Sequence, residues 1–131
     1  MAKTDGPMIE AAGHTINPRV LAGIKEASRR TGVDFSYLMA QASKESNFSP
    51  EADARMSSAS GLYQFTTQTW LGLVRSYGGK YGHADLAAKI QRTGKGEYFI
   101  ENPADRQAIL ELRREPKLSA LMAGEYANRN K

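Results

Sequence analysis

Two groups of residues between positions 42 and 71 have types and a spacing that could do chemistry. Glu45 follows Ala42 by three residues and Leu38 by seven, so a helix would place its carboxyl group on the same face as these apolar side chains. Burial favours the protonated form, and such an acid can protonate the leaving oxygen of a glycoside. The segment GLYQF at 61–65 follows one loop later, and its glycine would let a polymer approach the backbone. The alternative for Glu45 is a solvent-exposed acid at a helix end.

Caps and apolar spacing predict two helices before that loop. An Asn-Pro pair at 17–18 supplies a capping side chain and a first helical residue without an N–H to satisfy, and Gly32 ends the helix. We therefore expect the first helix at residues 18–31. Asp34 caps a second helix, which carries Glu45 in its last turn.

The rest of the chain predicts further helices joined by loops. Small and polar residues dominate 47–60, a loop of a length usually associated with function. Thr66 caps a third helix, in which the spacing of Trp70 favours a core anchor. Local signals then place a fourth helix from Asp85, a brief extended run at 97–100, a fifth helix after Asn102-Pro103 and a sixth after Pro116.

The two ends of the chain differ from its centre. Residues 1–16 show no helical period and predict a flexible N-terminal arm ahead of one domain at residues 17–131. Tyr126 completes the apolar stripe of the sixth helix, which favours a core position for its ring. The chain then stops without a glycine or other finishing signal, as a C-terminally truncated domain would. No segment is a convincing strand, so the predicted fold class is all-α, with about six helices.

Length and composition restrict the classes of protein to which the chain can belong. At 131 residues it is large enough for one hydrophobic core and too short for two. Its 18 basic and 14 acidic residues give a net charge of +4, which is too mild for a nucleic-acid-binding surface. There is no cysteine, no apolar run of about 20 residues, and no ligand spacing between His14 and His83. We expect no metal, cofactor, nucleic-acid partner or membrane insertion.

The two motifs together carry a resemblance. Glu45-Ser46 followed by GLYQF resembles the Glu-Ser and Gly-Leu-Met-Gln motifs of the soluble lytic transglycosylase family (SLT-type, goose-lysozyme-like). Tyr63 replaces the usual Met, and GLYQF with the Thr-Trp-Leu after it is similar to a subgroup of that family. The similarity covers roughly residues 18–77. It implies a lysozyme-like helical domain that cleaves peptidoglycan between N-acetylmuramic acid and N-acetylglucosamine.

The resemblance also implies roles for individual residues. Glu45 would protonate the glycosidic oxygen and then, as a carboxylate, accept the proton of the muramyl C6 hydroxyl, which closes a 1,6-anhydro ring without consuming water. Gln64 would hydrogen-bond the glycan, and the backbone of Gly61, Leu62 and Tyr63 would line the cleft.

Two further roles are harder to place. A loop serine contacts the site in the family, and we prefer Ser58 to Ser57. A tyrosine from a later helix assists the acid, for which this chain offers Tyr98 and Tyr126. We place Tyr98 at the site, because Tyr126 is expected in the core.

Two other functions stay open. A muramidase would hydrolyse the same bond with a second carboxylate, for which Glu51 and Asp53 are the loop candidates, although we expect both to be solvated. An inactive peptidoglycan-binding scaffold could instead dock on a secretion or flagellar assembly. Retention of Glu45 argues against the scaffold, because an inert descendant has no reason to keep a buried carboxylate.

The substrate implied by the resemblance determines the expected location. Peptidoglycan lies outside the cytoplasmic membrane, so we expect a periplasmic or cell-wall protein. The N-terminal residues lack the apolar centre of a signal peptide, which we expect to have been removed. We expect a monomer.

Overall fold

The computed structural model of the chain describes residues 9–11 and 14–130. Six α-helices lie within this part of the chain, which confirms the predicted all-α fold class. Their bounds are α1 (Pro18–Thr31), α2 (Phe35–Ser46), α3 (Thr67–Tyr77), α4 (Ala84–Ala87), α5 (Pro103–Glu111) and α6 (Pro116–Arg129). Short 3₁₀ turns extend α3 at Gly78–Tyr81 and α5 at Leu112–Arg114.

Capping residues set the bounds of α1 as predicted, whereas Asp34 precedes α2 without a capping hydrogen bond from its side chain. The Asn17 side chain accepts a hydrogen bond from the N–H of Arg19 at 2.8 Å, and Gly32 ends α1 in the left-handed conformation at φ 77°. The fourth helix is shorter than the apolar spacing predicted. It ends at Ala87, and Ile90, which the spacing had placed on its apolar face, is buried beyond the helix end.

Two small antiparallel hairpins accompany the helices. The first pairs β1 (Ile9–Ala11) with β2 (His14–Ile16), and Ile16 is fully buried. The sequence predicted a flexible arm without strands at residues 1–16. At 9–11 and 14–16 the chain instead forms this hairpin, and the buried Ile16 anchors it in the core. Residues 1–8 and 12–13 lie outside the described part. The second hairpin pairs β3 (Gln91–Arg92) with β4 (Tyr98–Phe99), as the extended run suggested.

The core is formed by α1, α3 and α6, with α1 packed most extensively on α6. Gly124 of α6 allows this close packing, because a Cβ atom there would lie 2.5 Å from Oγ1 of Thr31. Trp70 is completely buried and its Nε1 donates to the carbonyl of Ile109 at 2.8 Å, which confirms its place as a core anchor. Among the described helices, none has the length and apolar character needed to cross a membrane.

Candidate active site

A cleft of about 390 Å³ opens between the end of α2, the GLYQF segment and α6. The helix α2 brings three side chains with polar atoms to it, and the GLYQF segment and α6 supply most of the others. The main contributors are Tyr37, Gln41, Glu45, Gln64, Tyr126 and Asn130. Glu45 and Gln64, both candidates from the sequence, thus border the same cleft.

Glu45 itself is exposed, which corrects its expected place on a buried stripe. Leu38 and Ala42 of the same helix are fully buried. The helix ends one residue later, where Asn47 and Phe48 adopt positive φ angles of 53° and 64°. Phe48 is 5% exposed and its N–H bonds to the carbonyl of Ala42, so Phe48 fills the core beneath the helix end in place of the acid.

Ser46 joins the end of α2 to the GLYQF segment. Its Oγ donates to the carbonyl of Leu62 at 2.7 Å and accepts from the N–H of Ser49 at 3.1 Å. The serine after the acid is therefore a tether between the two motifs. This contact fixes the position of the segment relative to the end of α2, which carries Glu45.

Tyr63 provides a second tether. Its ring is buried, and its hydroxyl donates to the carbonyl of Leu38 at 2.8 Å. Burial raises the pKa of the Tyr63 phenol above its ordinary value. The residue borders the cleft, but its hydroxyl is already used within the protein.

Gln64 is the fourth residue of the segment and has a φ of 54°, which is uncommon for a residue with a side chain. Its Nε2 donates two hydrogen bonds, to the carbonyls of Ala52 and Gly61, each at 2.9 Å. Both amide hydrogens are therefore engaged within the protein. The group that remains for a ligand is the acceptor Oε1.

Gly61 and Leu62 do not border the cleft, which corrects the expectation for both. Leu62 is completely buried in the core. Gly61 has a φ of 87°, and a Cβ atom there would lie 2.1 Å from the carbonyl oxygen of Arg113. The missing side chain of Gly61 thus makes room for another part of this chain and not for a polymer.

Ser58 also lies outside the cleft. Its Oγ accepts from the N–H of Thr67 at 3.0 Å, so it caps the start of α3. The hydroxyl of Ser57 accepts a hydrogen bond from the N–H of Ala59 at 3.2 Å, and Ser57 does not border the cleft either. Both serines stabilise the loop and the helix that follows it.

The sequence favoured Tyr98 at the site and Tyr126 in the core, but Tyr126 borders the cleft and Tyr98 does not. The Tyr98 ring covers Gly72, where a Cβ atom would lie 2.9 Å from it, and Gln68 bonds both the N–H and the carbonyl of Tyr98. These contacts hold Tyr98 away from the cleft. Tyr126 is 37% exposed, borders the cleft and meets Phe65 edge-on at 6.0 Å between ring centroids.

A signal for Tyr126 is present in the sequence. Helical spacing places Ala123, Tyr126, Ala127 and Asn130 along one face of the last helix, and all four border the cleft. A face of small and polar residues around one aromatic ring is typical of a ligand-facing surface. On α2, Gln41 and Tyr37 lie one and two turns before Glu45, respectively, and carry the same kind of signal.

The loop acids do not reach the cleft. Asp53 accepts from Oγ of Ser60 at 2.7 Å and from Arg114 at 2.5 Å, and these contacts, the Ser60 bond first, lower the pKa of its carboxyl group. Glu51 is exposed on the loop. Among the described residues that border the cleft, Glu45 is the one carboxylic acid. Across the described part of the chain, no three His, Asp or Glu side chains gather as a metal site would require.

A comparison with known families places these features in context. The family model of the transglycosylase SLT domain matches residues 23–97, more than half of the chain. The match contains Glu45 and the whole GLYQF segment, whereas α5 and α6 lie beyond it. It confirms the lysozyme-like character of the helical fold, while membership of a GLYQF subgroup stays a prediction. The chain belongs to the transglycosylase SLT domain family.

Proposed function

We propose that this protein is a peptidoglycan lytic transglycosylase in which Glu45 acts first as the acid and then as the base. Family membership implies lytic-transglycosylase-type activity on peptidoglycan in general. The observation that supports a single-acid mechanism is that Glu45 is the one carboxylic acid among the described residues bordering the cleft. A retaining or inverting hydrolase would need a second carboxylate nearby.

The reaction balances without water. The proton of Glu45 passes to the glycosidic oxygen as the bond from that oxygen to C1 of the muramyl sugar breaks. The C6 hydroxyl oxygen of the same sugar then bonds to C1, and its proton passes to the Glu45 carboxylate. The products are a 1,6-anhydromuramyl end and a free N-acetylglucosamine end, and the acid is regenerated.

Glu45 is exposed at the cleft, so in the proposed mechanism the substrate must bury it. A general acid must carry its proton when it meets the glycosidic oxygen, and burial of a carboxyl group favours the protonated form. A glycan strand that fills the cleft would cover Glu45 and exclude water from it. Substrate binding therefore prepares the acid in the proposed mechanism.

The remaining cleft residues have complementary roles in this proposal. Gln64 accepts a hydrogen bond from an N–H or O–H group of the glycan through Oε1, because its Nε2 is already engaged. Tyr126 is the assisting tyrosine, and the fact that it borders the same cleft as Glu45 supports this role. SLT domain proteins act on peptidoglycan outside the cytoplasm, so we place this protein, as a monomer, in the periplasm or cell wall. A secretion or flagellar assembly is the partner class that we propose.

The decisive experiment is a digest of purified peptidoglycan sacculi with mass analysis of the released fragments. We expect 1,6-anhydromuramyl ends from the wild type, loss of all products with Glu45→Gln, and unchanged products with the control Glu51→Gln. Products that carry only reducing ends would overturn the transglycosylase and support the muramidase. A wild type that pellets with sacculi but releases nothing would support the scaffold.

A further inference from the structure

Arg113 reaches the GLYQF segment from a part of the chain beyond the family match. It lies in the 3₁₀ turn Leu112–Arg114, and its NH1 donates to the carbonyl of Ser58 at 2.6 Å and to that of Phe65 at 3.0 Å. These carbonyls stand at the two ends of the loop that contains Gln64. One side chain therefore joins both ends of this loop.

The position of the guanidinium group is fixed by further contacts. Its Nε donates to the carbonyl of Leu110 at 3.0 Å, and the side chain is half-buried. The carbonyl of Arg113 itself occupies the space beside Gly61 where a side chain would otherwise stand. Arg113 thus holds the loop from two directions, through its side chain and through its backbone.

The loop has a conformation that needs such support. Gln64 has a left-handed backbone, which is strained for a residue with a side chain and persists only where its surroundings hold it. The Phe65 carbonyl also accepts from the N–H of Ser60 at 3.1 Å, the bond that closes the loop. Arg113 therefore adds a second, charged donor to the acceptor on which this closure depends.

Partial burial of the Arg113 guanidinium group costs desolvation free energy, which its hydrogen bonds must offset. Burial lowers the pKa of Arg113, as desolvation disfavours its charged form. Among the ion pairs of the described residues, Arg113 is absent, whereas its neighbour Arg114 pairs with Asp53. Arg113 directs its donors to backbone carbonyls, so its contribution is to the shape of the loop.

We propose that Arg113 is a positioning residue of the active site. It holds residues 58–65 so that Gln64 meets the glycan opposite Glu45, and it acts through the loop without touching substrate. The inference rests on the proposed function for its catalytic consequence. Its structural part, the stability of the loop, can be measured without any reaction.

The test combines amide hydrogen exchange with steady-state kinetics on soluble glycan fragments. In Arg113→Ala, we expect exchange at the Ser60 and Gly61 amides to quicken by about tenfold or more, since a charged hydrogen bond contributes about 1.5–3 kcal/mol. Amides of α1 should keep their wild-type rates. The KM should rise several-fold and kcat should fall less, because α2 holds Glu45 by other contacts.

Two further variants make the result specific. Arg113→Lys keeps the charge but not the fork of donors, so it should fall between the wild type and Arg113→Ala, and it replaces Arg113→Ala should that variant fail to fold. Arg106→Ala removes an exposed arginine of α5 and should change neither readout. Equal exchange at Ser60 in wild type and Arg113→Ala would overturn the inference. A wild type inactive on glycan would instead overturn the proposed function, and the exchange comparison would still decide the role of Arg113.

Discussion

Tyr126 and Glu45 border the same cleft from α6 and α2, and the proposed chemistry depends on this pair. Tyr126 reaches the cleft with a partly exposed ring, and its edge-on contact with Phe65 fixes the direction of that ring. We propose that the Tyr126 hydroxyl acts on substrate or on the carboxyl group of Glu45, whereas that of Tyr63 donates to the carbonyl of Leu38. At the scale of single residues, Tyr126 would therefore assist the reaction, while Tyr63 holds the fold.

Removing the Tyr126 hydroxyl tests this division. Tyr126→Phe should lower kcat on peptidoglycan by about ten- to a hundredfold, as expected for a lost hydrogen bond to a charged or developing charge. The melting temperature should stay close to that of the wild type, because this ring is partly exposed and keeps its contact with Phe65. Tyr98→Phe is the matched control, as Tyr98 lies over Gly72 away from the cleft. Equal activity loss in both variants would contradict the assignment of Tyr126.

At the scale of elements, the GLYQF loop is held by contacts from three directions. Ser46 of α2 binds its Leu62 carbonyl, Tyr63 binds back to α2, and Arg113 binds the loop ends. The loop is therefore a rigid part of the cleft wall, although it contains no regular secondary structure of its own. In addition, the carbonyl of Arg113 lies so close to Gly61 that no side chain would fit there, and the shape of the loop depends on this close contact.

Two glycines with the same backbone angle separate the effect of this approach from that of the angle. Gly61 and Gly82 both have a φ of 87°, but a Cβ atom at Gly82 would meet nothing within 4 Å. Gly82→Ala should cost only the left-handed strain, about 1 kcal/mol. Gly61→Ala should cost about 3 kcal/mol or more, because overpacking is added to that strain. Urea unfolding measures both, and equal losses would show that the Arg113 contact is unimportant.

Local signals predicted the elements well and the walls of the site less well. The bounds of α1 follow from its caps, Asn17 and Gly32, which lie beside the helix ends and are therefore readable in the sequence. The exposure of Glu45 depends instead on whether Phe48 or the acid fills the core under the helix end. The occupant of the space at Gly61 comes from a distant 3₁₀ turn, which no local pattern reveals. The nearness of Glu45 and Gln64 could be predicted from the spacing of the two motifs in the sequence. In the structure Ser46 links these motifs directly.

At the scale of the whole molecule, the packing of α6 on α1 places the last wall of the cleft. The same helix contributes Met122 to the core and Tyr126 to the cleft, so the fold and the site share one element. Asn128 adds a hydrogen bond from its side chain to the carbonyl of Thr31 at 2.9 Å. Loosening α6 should therefore affect stability and activity together.

Gly124→Ala is the substitution that tests this coupling. A Cβ atom there would approach Thr31 Oγ1 to 2.5 Å, so the helices must separate, and we expect a loss of about 1–3 kcal/mol despite the better helix propensity of alanine. The double variant with Thr31→Ala should lose less stability than the sum of the single variants, because the two closest clashing atoms, Oγ1 and Cγ2 of Thr31, are gone and only its Cβ, at 2.9 Å, remains. Thermal unfolding and sacculus digestion should change in parallel. Strict additivity in the double variant would place the strain elsewhere.

The solvent exposure of the Glu45 carboxyl group also has a consequence for the size of the glycan fragments that the proposed digestion would leave. Residues of α2, the GLYQF segment and the end of α6 border the cleft, and in the proposed mechanism a glycan strand that fills it would exclude water from the acid. As strands become shorter, they would cover the acid less completely and would be cut more slowly. Digestion by such an enzyme would slow by itself and leave short oligosaccharides as its stable end products.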